Sequence, residues 1–367
     1  MRYKESRPIF LLHILLALVT ILLIIGLIFV YSASSVFSLT TFGSSHYYLK
    51  RHIIGLCIGM ISFGIIQLVP VSLIYQLTPL LLYSSLILAA ATLLTSIGCS
   101  IHGSSRWLTV YGFTFQPSEL LKVTVPLYVA YFLENKIHPY RPLVLRYTPL
   151  LIIMGIISFL LLKQPDFGLT MTLLATVLCM LFVGKCNVRY IIYALLSLGS
   201  LGFLLIAMRS YRIKRILAFM NPWQDPKGAG FQIIQSLIAI GSGHITGLGI
   251  GNSKQKFLYL PMQHTDFIFS IIAEETGFIG SLFLIILYIA LLYIGIKIAL
   301  RLPTLFAQLA TIGYMILISL QTIINLAVTT GLAPTKGIGL PFISYGNTAL
   351  VCNIIMIGII THLVYES

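Results

Sequence analysis

A long polar stretch, residues 209–265, interrupts an otherwise apolar chain and concentrates its cations. It holds Tyr211-Arg212-Ile213-Lys214-Arg215, then Asn221-Pro222-Trp223-Gln224-Asp225-Pro226, then a glycine-rich run ending in Gly251-Asn252-Ser253-Lys254-Gln255-Lys256. It closes on His264-Thr265-Asp266, where the next apolar run begins. Arg212, Arg215, Lys254 and Lys256 suit a diphosphate, because guanidinium matches phosphate oxygens in a bidentate fork and ammonium supplies a compact charge. Gly241, Gly243, Gly247, Gly249 and Gly251 let backbone amides approach an anion. Their spacing does not satisfy GxGxxG and no strand precedes them, so a nucleotide fold is not indicated. Asp266 is a carboxylate at a bilayer edge, suited to act as general base on a sugar hydroxyl. Cations beside such a carboxylate fit a substrate with a phosphate head and a lipid tail. The same residues also fit a basic loop lying on lipid, with Asp266 as a helix cap or the partner of a loop arginine.

Three further clusters place charge where burial is costly. Arg106-Trp107 is followed by Gln116-Pro117-Ser118-Glu119 and Lys122. Glu119 and Lys122 are three apart, on one helical face, either as a structural ion pair or as part of a cavity. Lys163-Gln164-Pro165-Asp166-Phe167-Gly168 reads as a tight turn, with Asp166 either capping the next helix or belonging to the substrate site. Glu274 follows Asp266 by eight positions, about two turns, which predicts a shared face. Pro334-Thr335-Lys336-Gly337 and Pro341-Phe342-Ile343-Ser344-Tyr345-Gly346 lie between the last two apolar runs. Irregular backbone at membrane depth is tolerated only beside protein or a wet cavity, so Lys336 and Ser344 are expected to line the same cavity. His264 reads as an interfacial residue.

The elements that must position these residues are membrane helices. The 367 residues are 58% hydrophobic and 9% charged, with a mean hydropathy of +0.99. A soluble domain needs far more charge than that. Apolar runs of spanning length recur along the chain, giving an all-α polytopic membrane protein of about ten transmembrane helices in a single domain, residues 1–367. The spans fall near 9–31, 52–71, 75–98, 119–134, 147–163, 168–185, 189–208, 267–297, 304–330 and 342–364. The first apolar run, about Ile9 to Val30, is too long for a signal-peptide core. With both termini inside, cytoplasmic segments carry ten lysines and arginines against five in the short outer loops. That asymmetry places the 209–265 loop outside. The net charge of +14 fits contact with anionic lipid, and without a soluble basic fold no nucleic-acid partner is expected. The five cysteines are scattered, without metal-ligand spacing.

Taken in order, these motifs resemble the SEDS family (shape, elongation, division and sporulation), the FtsW/RodA-type proteins of bacteria. The resemblance covers nearly the whole chain. It runs from Arg106-Trp107 through the Gln116–Lys122 and Gln164–Gly168 segments, Tyr211-Arg212, Arg215, Pro222-Trp223, Ser253–Lys256 and His264-Thr265-Asp266 to Glu274-Glu275 and Pro334–Gly346. It implies a ten-helix fold and a peptidoglycan glycosyltransferase that polymerises lipid II on the outer face of the bacterial cytoplasmic (inner) membrane. It also implies a class B penicillin-binding protein as transpeptidase partner, together with other divisome or elongasome membrane proteins. Asp266 matches the family's proposed catalytic residue. Arg212, Arg215, Lys254 and Lys256 then become candidates for the leaving diphosphate, and Arg106, Glu119, Lys122 and Asp166 for the walls of the cavity. Glycosyl transfer would proceed with or without a divalent cation such as Mg2+. Pro334-Thr335-Lys336-Gly337 is closer to the division branch, FtsW. The chain departs from the family pattern at Met262, where Glu is frequent, at Thr276, where Leu is usual, and at Asn347-Thr348, where Gly-Ser is usual. Two other functions fit the same composition: a lipid II flippase, which needs polar residues along the whole crossing, and a non-catalytic scaffold, for which Asp266 is dispensable.

Overall fold

The structure is a computed structural model that describes residues 2–94, 98–101, 104–110, 113–135, 143–189, 192–193, 195–196, 219–228, 230–257 and 259–366. Helix α1 (Arg2–Phe42) runs well past the expected end of the first span. Its Ser32–Thr41 segment reads as polar in sequence, but Ser32 and Ser38 are buried and donate to Glu275 Oε1 (2.6 Å) and the Ser44 carbonyl (2.7 Å). Helices α2 (Tyr47–Leu68) and α3 (Val71–Leu94) follow, parted at Pro70. Pro70 has no N–H to donate back to α2, and its carbonyl accepts from the Leu73 and Ile74 amides to start α3.

The all-helical expectation needs one addition between α3 and the next span. Strands β1 (Gly98–Ile101), β2 (Ser104–Val110) and β3 (Phe113–Phe115) form an antiparallel sheet in the order β1-β2-β3. Cys99 pairs with Trp107 and Leu108 with Phe115, which sets Arg106 on the central strand. A 3-10 turn, Pro117–Leu120, then leads into α4 (Leu121–Asn135).

Helices α5 (Leu143–Lys163) and α6 (Phe167–Val183) match two expected spans, whereas most of the expected 189–208 span lies outside the described residues. The 209–265 stretch is not loop throughout. It contains α7 (Phe231–Ser242), which buries Ile233, Ile234, Ser236 and Ala239 and exposes Ile238. The amphipathic spacing of Phe231–Ile240 accounts for that helix. Helices α8 (Ile268–Ala299), α9 (Leu305–Thr329) and α10 (Asn347–Tyr365) complete the chain. The last helix starts five residues later than expected, because residues 341–346 form an irregular turn in which Phe342 adopts a left-handed φ of 66°.

Six of these helices, α1, α2, α3, α8, α9 and α10, are long and apolar enough to cross a membrane, and the shorter apolar helices α5 and α6 pack beside them. The chain is an integral membrane protein. A continuous buried cluster runs through α1, α4, α6, α8, α9 and α10. Without a hydrophobic drive between helices in lipid, small residues permit close packing. At Gly59 of α2 an added Cβ would lie 2.6 Å from Ile354 Cδ1 of α10.

Candidate functional site

Three short irregular segments meet at one end of the helices: the α5–α6 turn, residues 262–267 before α8, and residues 336–346 before α10. The α5–α6 turn is fixed first. Asp166 caps α6, its Oδ1 accepting from the Leu169 amide at 3.2 Å. The same carboxylate lies 3.4 Å from Arg106 Nη1 and accepts from Gln116 Nε2 at 3.4 Å. Arg106 also donates from Nε to the Gln164 carbonyl (2.7 Å) and from Nη2 to the Pro165 carbonyl. One guanidinium therefore staples the β-sheet to the turn. Gln164 is fully buried and donates from Nε2 to Ala89 O and Thr92 Oγ1 of α3, both at 2.8 Å. The two readings of Asp166, helix cap and site residue, are not exclusive: it caps α6 and also holds Arg106.

Residues 336–338 run between this turn and Asp266. Lys336 Nζ sits 4.7 Å above the Phe167 ring, and its burial lowers its pKa. An added Cβ at Gly168 would lie 3.0 Å from Ile338, and one at Gly337 would lie 3.4 Å from Asp266 Oδ2. Lys336, the N-terminus of α6 and Asp266 thus border one region. Helix N-termini and cations both favour an anion in such a region.

Asp266 is half-buried and lies outside α8, whose N-cap is Phe267. The expectation that Asp266 and Glu274 share a helical face is corrected accordingly: Asp266 belongs to a turn in which the Thr265 and Phe267 amides both donate to Met262 O, at 3.2 and 3.3 Å. Met262 itself has a left-handed φ of 55°. Two side chains clamp this turn to the 336–346 segment. Asn325 of α9 donates from Nδ2 to both Asp266 O and Ile338 O, each at 2.8 Å. Ser344 Oγ donates to Thr265 O at 2.6 Å and accepts from the Leu340 amide at 2.7 Å. His264, read in sequence as interfacial, is buried against Phe37, Tyr48 and Tyr345, with ring centroids 4.4–5.7 Å away. Burial pushes its imidazole down to about 4, so it stays neutral.

The glycine-rich run is bound to α8 rather than free. Helix α8 breaks at Gly277, whose φ of 67° only glycine adopts readily. The loop is stitched into the break in both directions. Leu248 and Gly249 donate to the carbonyls of Glu274 and Glu275 (3.0 Å each), and Phe278 and Ile279 donate to those of His244 and Ile245 (2.9 and 3.2 Å). An added Cβ at Gly277 would strike the Gly247 nitrogen. The Glu274 carboxylate accepts from Ser253 Oγ (2.5 Å) and from the amides of Lys254 (2.8 Å) and Gln255 (3.4 Å). Glu275 accepts from Ser32 Oγ and from the Ser253 amide (3.3 Å), and lies 3.8 Å from Lys256 Nζ. Lys256 is buried and also donates to Gly251 O, whereas the Lys254 side chain is exposed.

The expected site residues therefore divide. Arg106, Asp166, Lys336, Ser344 and Asp266 converge. Lys254 and Lys256 lie on the loop bound to Glu274 and Glu275. Glu119 and Lys122 pair with each other at 2.5 Å, both buried, next to the Gln116 that reaches Asp166. Arg212 and Arg215 lie outside the described residues. Sequence reasoning passed over Asn325 and named Ser253 only within its motif, without a role. A lone Asn amid an apolar run was the available signal for the first, since a buried amide must find partners. Among the described residues no three of His, Cys, Asp and Glu converge as metal ligands.

Residues 12–367 match the family described as FTSW_RODA_SPOVE, cell cycle protein. The chain is 38% identical over 348 residues to a probable peptidoglycan glycosyltransferase FtsW of Geobacter sp. (strain M18), covering 95% of each chain. It is 38% identical over 362 residues to the stage V sporulation protein E of Bacillus subtilis (strain 168), covering 98% of each. Among solved structures, it superposes with a TM-score of 0.79 and 30% identity on a chain from work on the structural coordination of polymerization and crosslinking by a peptidoglycan synthase complex, covering 96% of this chain and 97% of that one. The rod shape determining protein RodA of Thermus thermophilus gives a TM-score of 0.72 at 26% identity, with 96% of each chain covered. Sequence and fold agree over nearly the full length, and the chain belongs to the FtsW/RodA/SpoVE family.

Proposed function

We propose that this chain is a peptidoglycan glycosyltransferase that polymerises lipid II at the outer face of the cytoplasmic membrane, for septal synthesis during division. Asp266 takes the proton of the acceptor's sugar hydroxyl. The freed oxygen attacks the anomeric carbon of the donor, and the bond from that carbon to undecaprenyl diphosphate breaks. Diphosphate is a competent leaving group, so the site must mainly position two lipid-linked sugars and stabilise the charge that develops. Lys336 supplies positive charge beside Asp266. Arg212, Arg215 and Lys254 are the further cations assigned to the diphosphate, and the Arg106–Asp166 staple shapes the wall of the site.

The observation that carries this reading is the clamp on Asp266. Asn325 and Ser344 fix the backbone on either side of a half-buried carboxylate whose Oδ2 faces Gly337, beside Lys336. A scaffold has no need of a carboxylate held beside a partly desolvated lysine. The concentration of these groups at one end, rather than along a crossing, favours transfer over flipping. The likeness to a chain of a peptidoglycan synthase complex supports a class B penicillin-binding protein as partner, supplying the crosslinking step.

The test is polymerisation of purified lipid II by the chain with its transpeptidase, comparing wild type with Asp266→Asn. Glycan strands from the wild type and none from a folded variant support the assignment. Equal polymer from both removes Asp266 from the mechanism, and no polymer from either, with lipid II intact and the partner bound, overturns the activity.

A further inference from the structure

The paired carboxylates Glu274 and Glu275 are not used by the mechanism above, yet both are almost fully buried and meet the same four-residue segment of the loop. They treat its two lysines in opposite ways. The Glu275 carboxylate lies 3.8 Å from Lys256 Nζ, and the ammonium, itself buried, also donates to Gly251 O. Lys256 is therefore tied down inside the protein, its charge compensated by Glu275 on the wall of a cavity it shares with Ser32, Ile250 and Gly251. Glu274 instead takes the backbone of Lys254. Its Oε1 accepts from the Lys254 amide at 2.8 Å, while Oε2 accepts from Ser253 Oγ at 2.5 Å and from the Gln255 amide at 3.4 Å. Ser253 and Gln255 are drawn inward and Lys254 between them is turned outward, its side chain exposed. Charge-assisted bonds from a carboxylate to three successive residues hold a loop more firmly than neutral contacts do.

We propose that Glu274 and Glu275 are positioning residues that sort these lysines, Glu275 neutralising Lys256 as an anchor and Glu274 presenting Lys254 as the loop cation that meets the diphosphate of a lipid-linked sugar. The inference rests on the glycosyl-transfer reading for the identity of the ligand, but the latch itself is independent of it. Glutamine at position 274 is the informative change. It keeps the shape of Glu274, but its amide nitrogen is a donor facing donors, so it cannot accept from Ser253, Lys254 and Gln255 together.

The test uses the full-length chain in nanodiscs and two readouts. The first is trypsin cleavage after Lys254. Wild type and Lys256→Arg are expected to resist, and Glu274→Gln to be cut about tenfold faster, the scale of losing one charge-assisted contact. The second is affinity for lipid II. Glu274→Gln and Lys254→Gln are each expected to weaken binding by about tenfold, and the double variant to be no weaker than Lys254→Gln alone, because both changes remove the same contact. Wild-type resistance to trypsin in Glu274→Gln, or losses that multiply in the double variant, would overturn the proposal. Serine is the latch's other half, so Ser253→Ala is expected to loosen the loop in the same direction, and its failure to do so would count equally against it. If wild type binds lipid II with these shifts but makes no polymer, the catalytic reading fails and the latch stands.

Discussion

Asn325 holds Asp266 by its backbone and not by its side chain: one amide nitrogen donates to Asp266 O and to Ile338 O, 2.8 Å each. The candidate base is thereby joined to the segment that carries Lys336, while its own carboxylate remains half-buried and turned toward Gly337.

Substitution here separates shape from hydrogen bonding. Asn325→Ala leaves two carbonyls without their donor and is expected to cost about 2–4 kcal/mol of stability, with a fall in polymerisation rate. Asn325→Asp is expected to be at least as damaging despite its near-identical shape, because an ionised carboxylate only accepts and would face two carbonyl oxygens. Thermal unfolding in detergent alongside lipid II turnover checks both, and an Asp variant indistinguishable from wild type would contradict the clamp.

The Arg106 staple predicts a graded response to two replacements. Arg106 bonds the Gln164 and Pro165 carbonyls and the Asp166 carboxylate at once. Lysine offers a point charge without the fork, so Arg106→Lys keeps only part of the contact and Arg106→Ala none. Faster amide hydrogen exchange in residues 104–110 is expected for both, greater for Ala. The ordering of the two rates is the check.

The buried Glu119–Lys122 pair predicts compensation. Glu119→Gln strands the Lys122 charge in an apolar setting and is expected to destabilise by about 3–5 kcal/mol. The double change Glu119→Leu, Lys122→Met removes both charges and is expected to regain most of that loss. Should the double variant fold yet fail to polymerise, the pair has a role beyond packing.

His264 predicts an acid limit. Its imidazole is held neutral in the aromatic cluster, with a folded-state pKa of about 4 against an ordinary 6.5. The unfolded chain therefore binds its proton first as pH falls. Stability from this residue is complete above pH 6.5, declines between 6.5 and 4, and levels off below, a total on the order of 3 kcal/mol. Unfolding midpoints measured across that interval are expected to fall less steeply in His264→Phe, which keeps the ring and removes the titration.

Local rules served the sequence reading well where the partners are near in the chain. Asp166 sits where a cap belongs, and Glu119 and Lys122 meet because they are three residues apart on one face. Hydropathy located the six long spans, since apolar length is itself the physical requirement, whereas the expected 119–134 span is the shorter helix Leu121–Asn135 and most of 189–208 lies outside the described residues. What stayed hidden depends on distant partners. Ser253 and Glu274 are 21 positions apart, and Ser32 and Glu275 are 243 apart, so neither anchor leaves a local trace. The same cause concealed the continuation of α1 to Phe42, because its serines read as a helix end until their partners are known. The sheet from Gly98 to Phe115 was missed for a different reason: its strands are too short for a period of two to stand out between longer helical signals.

The break at Gly277 also measures depth. Residues 278–299 of α8 make 22 residues of helix, roughly 33 Å at the usual rise, which alone matches a hydrocarbon layer of ~30 Å. The ten residues from Ile268 to Gly277 are then surplus to the crossing, as are those of α1 beyond Tyr31, and the two surpluses meet where Ser32 bonds Glu275. The buried carboxylates Glu274 and Glu275 therefore belong to the part of α8 that its crossing length does not need, which leaves them to hold the loop.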